Sequence, residues 1–325
     1  MKKKKSVIIW LLSGCFLIFI MVIIGGITRL TDSGLSMSTW KLIGGAPPLN
    51  TVEWNSAFDI YKETPEGKAN SHYVLDDFKF IFFWEYLHRM MGRLLGLVFL
   101  IPFFYFLIKK RLSRKLILQS LVLLIMGSSQ GLIGWWMVQS GLVDKPDVSH
   151  FRLAIHLIMA FLTCSYTLWV ALPLIFPSLK TGNRIIYNQL LLLFILAIIQ
   201  IIYGAFVAGL KAGRIYNTWP KMGKEWIPES VFLDPGAESQ FIHRVLALII
   251  IAFTCYIWYN AKKITLSKLQ VKSLNSLLLI VSLQIVLGIS TLVMIVPISL
   301  ALMHQIVAFF LLLSLVFNLF LFKKS

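Results

Sequence analysis

The sequence predicts an all-α, polytopic membrane protein, with eight transmembrane helices forming two tandem four-helix bundles related by a pseudo-twofold axis along the membrane normal. Three observations carry this. The 325 residues are 58% hydrophobic and 14% charged, with a mean hydropathy of +0.80, more apolar surface than a soluble chain of this length can bury. Eight apolar stretches are long enough to cross a hydrocarbon core of ~30 Å, which takes roughly 20 helical residues. The second half of the chain also repeats the first.

The expected spans are Val7 to Ile27, Phe80 to Ile108, Leu116 to Val138, Phe151 to Phe176, Ile185 to Gly209, Gln240 to Tyr259, Leu274 to Ile295 and Ile298 to Phe322. Backbone groups in lipid must bond within their own segment, so each span is a helix. The first follows Lys2 to Lys5 and resembles a signal peptide, but its apolar run is too long and no A-x-A site follows, so it is read as retained. Its lysine-only start is unlike an arginine-rich mitochondrial presequence and favours a bacterial plasma membrane.

The connecting segments alternate in charge. One side carries Lys2 to Lys5, Lys109 to Arg111, Arg114 and Lys115, Lys180 and Arg184, Lys262 to Lys272, and Lys323 and Lys324. The other is mixed or acidic, including Asp32, Glu53, Glu66, Asp77, Asp144, Asp147, Glu225 and Glu238. The positive-inside rule then puts both termini in the cytoplasm. It also explains the formal charge of +17 without nucleic acid, for which no basic helix with exposed aromatics is present. Two outer segments, Thr28 to Lys79 and Leu210 to Ser239, are long enough to be functional and to hold short amphipathic helices. Cys15, Cys164 and Cys255 all lie within spans and have no metal-ligand spacing, so neither a disulfide nor a zinc site is expected.

The repeat has four anchors in the same order. Gly25, Gly34, Thr39, Trp40 and Gly44 match Gly204, Gly213, Thr218, Trp219 and Gly223, an offset of 179 positions. Tyr86 to Arg89 match Phe241 to Arg244 at 155. Gln130 and Gly134 match Gln284 and Gly288 at 154. His156, Ala160 and Phe161 match His304, Ala308 and Phe309 at 148. The offset shortens mainly across outer loops, so the helices keep register. Each half has four spans, so both share one orientation and the axis lies along the membrane normal. The halves are residues 1–179 and 180–325.

Each even-numbered span enters from the outer side and carries a histidine within its first two or three turns: His88, His156, His243 and His304. Intramembrane histidine is uncommon and usually functional. Four at matched depth form two pairs, His88 with His156 and His243 with His304, the arrangement of axial ligands clamping iron porphyrins. Gly92, Ala247, Gly127, Gly131 and Gly134 are small enough to admit the macrocycles. Zinc or copper would call for grouped thiolate, thioether or carboxylate ligands instead. Arg89 and Arg244 suit either a haem propionate or the lipid headgroups. His72 and His150 fall outside the spans, without repeat partners, and are expected to be solvated.

The halves differ at one telling position. Glu85 lies three residues before His88, on the same helix face, and its counterpart is Gln240. A carboxyl in the membrane is costly unless paired or used. Arg89 could pair with it structurally. The alternative is that the first half hosts chemistry and the second holds a fixed haem.

Glu85-Tyr86-Leu87-His88-Arg89 resembles the E-x-x-H-R motif of the haem A synthase family, and Phe241-Ile242-His243-Arg244 resembles its second copy. With eight spans and the tandem repeat, the resemblance covers nearly the whole chain. It implies oxidation of the haem O C8 methyl group to a formyl group by successive hydroxylations and loss of water, giving haem A for terminal oxidases. It implies that Glu85, His88 and His156 serve substrate haem O, with Glu85 moving protons or steadying positive charge, and that His243 and His304 ligate haem B. A haem O synthase upstream and an unidentified electron donor are the implied partners, beside membrane lipid. Homo-oligomerisation stays open. Many bacterial members carry a cysteine pair in an outer loop, which this chain lacks, so it is closer to the cysteine-free type of mitochondria and some bacteria. The rival readings are a di-haem membrane cytochrome carrying electrons without haem turnover, which shares the histidine pattern, and a transporter. Pro102, Pro173 and Pro297 sit too near span ends to break helices for the latter.

Overall fold

A computed structural model describes residues 2–37, 46–142, 147–177 and 182–323. Eight long helices cross the expected regions: α1 (Lys2–Leu30), α4 (Leu75–Ile108), α5 (Arg114–Gln139), α6 (His150–Ile175), α7 (Arg184–Gly209), α8 (Pro235–Ala261), α9 (Lys268–Val293) and α10 (Ile298–Phe322). All eight are long and apolar enough to span a membrane. Two short helices, α2 (Thr51–Lys62) and α3 (Pro65–Ala69), fill the first outer segment, and two 3-10 turns, Ala212–Arg214 and Glu229–Phe232, fill the second. Thr39, Trp40, Gly44, Asp144, Lys180 and Lys324, used above for the repeat or the charge pattern, lie outside the described residues.

Local chemistry sets the helix starts. Ser113, Asn183 and Ser267 side chains accept from first-turn amides of α5, α7 and α9, and Asp234 does so for α8. Asn50 and Thr64 cap α2 and α3, with Pro65 at the first helical position of α3.

Two expectations need correction. The helix carrying His88 begins at Leu75, not near Phe80, so His88 sits almost four turns along it. Its extra outer turns are held by apolar packing: Phe78, Ile81 and Phe82 form a cluster with Tyr61 of α2, flanked by Trp54 and Phe58. His150 also lies within a span rather than outside one. It opens α6 and is partly buried, its ring 5.5 Å from that of Phe206. His72 is exposed, as expected.

The helices pack as hairpins, α1 on α4, α5 on α6, α7 on α8 and α9 on α10, while α1, α6, α7 and α10 meet at the centre. The largest apolar cluster joins both halves through Phe161, Leu190, Leu193, Phe309 and Leu312. Gln305 donates to the Val22 carbonyl at 2.8 Å, tying α10 to α1. At Gly26 an added Cβ would stand 2.9 Å from Leu302, so glycine permits that close approach. Large apolar side chains such as Leu97, Ile125 and Leu279 are more than half exposed, which suits a lipid-facing surface.

Candidate functional site

Each of the four histidines lies against a glycine of the neighbouring odd-numbered span. A Cβ on Gly25 of α1 would sit 3.1 Å from His88 Cε1. On Gly134 of α5 it would sit 3.1 Å from His156 Cε1, on Gly204 of α7 3.0 Å from His243, and on Gly288 of α9 2.9 Å from His304. These approaches are tighter than ordinary side-chain contact, and at Gly288 too close for a Cβ unless the ring shifts, so the four glycines form close-fitting cradles for the rings. Gly25 and Gly204, and Gly134 and Gly288, are repeat partners.

The rings of the second pair face each other. His243 and His304 stand 6.3 Å apart, centre to centre, with planes at 75°. A metal–imidazole bond is about 2 Å long, so two rings sharing one ion stand roughly 6 Å apart. His88 and His156 stand against the repeat counterparts of the glycines that hold the second pair. The Nδ1 atoms of His88, His156 and His304 are buried without a hydrogen-bond partner, and His243 Nδ1 lies 3.2 Å from the Gln200 carbonyl. Paired imidazoles in an apolar setting suit an iron porphyrin. Metals wanting carboxylate or thiolate donors are not matched by this donor set.

Three glutamines attend these rings. Gln130 Nε2 donates to the His156 carbonyl at 3.2 Å. Gln200 Nε2 donates to the His243 carbonyl at 3.0 Å and lies 3.4 Å from its Nε2. Gln284 Nε2 lies 3.3 Å from His304 Nε2. The sequence reading matched Gln130 with Gln284 but gave them no role, and it passed over Gln200, whose four-residue spacing to Gly204 repeats theirs.

Glu85 is 2% exposed and is held from the segment that follows α1. Ser36 Oγ donates to Glu85 Oε2 at 2.6 Å and the Met37 amide to the same oxygen at 2.9 Å. Arg89 pairs with Oε1 and also donates to the Met37 carbonyl at 3.3 Å. Ser36, the Met37 amide and Arg89 all donate to it, so its oxygens serve as acceptors. In the second half Gln240 donates to the Tyr216 carbonyl at 3.1 Å, and Arg244 to the same carbonyl at 2.7 Å and to that of Thr218 at 3.0 Å. Met37 and Tyr216 differ by the same 179 positions as Gly25 and Gly204, so both arginines grip equivalent turns. Arg89 makes the structural pair with Glu85 that the sequence suggested, and both arginines add contacts to loop carbonyls. The guanidiniums fasten the outer loops to the ligand helices, and Nε of Arg244 remains buried without a partner. Ser36 and Met37 were missed by sequence reasoning, since no periodicity marks a loop's return path.

The halves also differ at four glycines of the first half. Added Cβ atoms at Gly96, Gly127 and Gly131 meet nothing within 4 Å, and at Gly92 only Met21 Cε at 3.8 Å. Their repeat positions hold Ala247, Ile251, Val281 and Ile285.

The sequence matches the family described as cytochrome oxidase assembly protein, COX15-CtaA, over residues 8–316. It is 50% identical over 335 residues to the heme A synthase of Flavobacterium johnsoniae, covering 98% of each chain. It is 49% identical to that of Flavobacterium psychrophilum, covering 100% of each, and 42% identical to that of Nitrosospira multiformis, covering 93% of this chain and 89% of the relative.

Proposed function

Because the chain belongs to the haem A synthase family of cytochrome oxidase assembly proteins, we propose that its first half is where the C8 methyl group of haem O becomes a formyl group. It is a multi-pass membrane oxidoreductase that converts haem O to haem A for terminal oxidases.

The residue assignment is our own. His88 and His156 hold haem O in the first half, and His243 and His304 hold haem B in the second. The observation that carries this is Glu85, a buried carboxylate three residues from His88, standing where the second half has Gln240. A carboxylate can take up and release a proton at ordinary pH and an amide cannot.

When bound, the iron porphyrins supply the redox chemistry. The protein's residues orient and shield. Each glycine cradle sets its imidazole, and the four imidazoles would hold the two iron porphyrins. Ser36, the Met37 amide and Arg89 hold Glu85 in one geometry, so its Oε2 and Oε1 can exchange protons without the side chain wandering. The apolar helices exclude bulk water. Both termini lie in the cytoplasm, the two halves relate by a pseudo-twofold axis along the membrane normal, and the site faces the outer leaflet. A haem O synthase delivers the substrate, and a separate donor supplies electrons.

Glu85→Gln tests the assignment. Extracted haems should show haem A falling about a hundredfold or more, the usual range for a lost acid–base group, with haem B retained. Normal haem A yield would overturn the role of Glu85. Neither haem turning over in the parent protein would favour a di-haem electron carrier instead.

A further inference from the structure

In α5, α7 and α9 the residue one turn before the cradle glycine is glutamine: Gln130 before Gly134, Gln200 before Gly204 and Gln284 before Gly288. In α1 the position four residues before Gly25 is Met21. Its methyl carbon lies 3.8 Å from where a Cβ of Gly92 would sit, one helical turn inward of His88. Met21 therefore fills in the first half the place that Gln200 fills beside His243. A thioether has no hydrogen to donate, so His88 is the one ligand histidine with an apolar neighbour where the other three have an amide.

We propose that Met21 makes His88 the yielding ligand of the first haem, the one whose iron bond opens to admit a small diatomic molecule. The inference rests on the assignment of His88 and His156 to that haem. The glutamines hold their histidines in two ways. Gln130 and Gln200 pin the carbonyl of the ligand residue, fixing that turn of helix against its neighbour. Gln200 and Gln284 also stand against the Nε2 edge of the ring, limiting its swing. Among the described residues the His88 ring makes no hydrogen bond, and the position one turn before its Gly25 cradle is a flexible, polarisable thioether. The departure of His88 from iron breaks no protein hydrogen bond, while displacement of His243 would disturb the contacts of Gln200. The step is a ligand exchange with no net redox change. One iron–nitrogen bond breaks, one bond from iron to the incoming molecule forms, and no proton leaves.

Carbon monoxide binding to the dithionite-reduced, haem-loaded full chain reads this directly, with extracted haem giving the occupancy of each half. One of the two haems should bind carbon monoxide in the parent protein and in Met21→Leu. In Met21→Gln the affinity of that haem should fall at least tenfold with both haems still present. Equal affinity in the parent and Met21→Gln overturns the inference while leaving the ligand assignment intact. Should Met21→Gln fail to assemble, Gln200→Met decides: carbon monoxide binding gained by the second haem supports the inference, and no gain overturns it. Failure of the assignment itself has a different signature, since His88→Ala would then leave haem content unchanged.

Discussion

Phe161 of α6 and Phe309 of α10, which occupy equivalent positions in the two halves, meet edge to face with ring centres 5.2 Å apart and planes at 85°. Both are about 1–2% exposed. Both rings belong to the largest apolar cluster, and under the proposed pseudo-twofold relation, equivalent residues would touch each other only near the axis. Phe19 adds to the contact, 5.7 Å from Phe309.

Truncating either ring should loosen the halves without touching a histidine. Phe161→Ala and Phe309→Ala are each expected to cost about 3–5 kcal/mol, the usual range for an aromatic core deletion. Because the two rings share one contact, the double variant should cost less than the separate costs together. Thermal unfolding in detergent, followed by helical circular dichroism, measures both.

The glycine cradles predict haem loss confined to one half. Gly288→Ala would bring a methyl group 2.9 Å from His304 Cε1, and Gly204→Ala 3.0 Å from His243. Both should deplete haem B and spare the first site. Gly134→Ala and Gly25→Ala should do the reverse. Extracted haem per mole of protein distinguishes the two patterns, and uniform loss from all four variants would contradict the pairing.

Glu66 predicts a pH effect in the outer cap. It is 4% exposed, and burial, with the nearby charges of Glu85, Asp32 and Asp147, pushes its carboxyl up to about 8. The folded state then binds more protons than the unfolded one between the ordinary carboxyl range and about 8. Stability is greatest below the unfolded value and falls as pH rises through that window. The protection factors over residues 51–70, taken relative to the intrinsic exchange rate at each pH, should fall from pH 5 to pH 8, and Glu66→Gln should remove that fall.

Much of this was legible in the sequence because membrane physics is severe. Lipid forces helices, and hydropathy marks them, so all eight spans were found within several residues. The repeat exposed the four histidines because positions within the helices keep register while loops drift. The start of α4 was misplaced because its outer turns are buried by α2 instead of by lipid, so hydropathy does not report them. His150 was misjudged for a similar reason, since a polar residue can open a span when an aromatic such as Phe206 shelters it. The hold of Ser36 and Met37 on Glu85 depends on how a loop folds back, which no local pattern encodes. Met21 was readable in principle, through comparison at an offset of 179, once the glutamine–glycine spacing had been noticed.

The central claim is that paired histidines hold two iron porphyrins beneath the outer membrane surface. The most direct measurement is the optical spectrum of the purified chain with acid-acetone extraction, repeated for His243→Ala. The account predicts haem B together with haem O or A in the parent, and selective loss of haem B in the variant. A correctly inserted protein that stays colourless after haem supplementation, or a variant that keeps its full haem B, would contradict it.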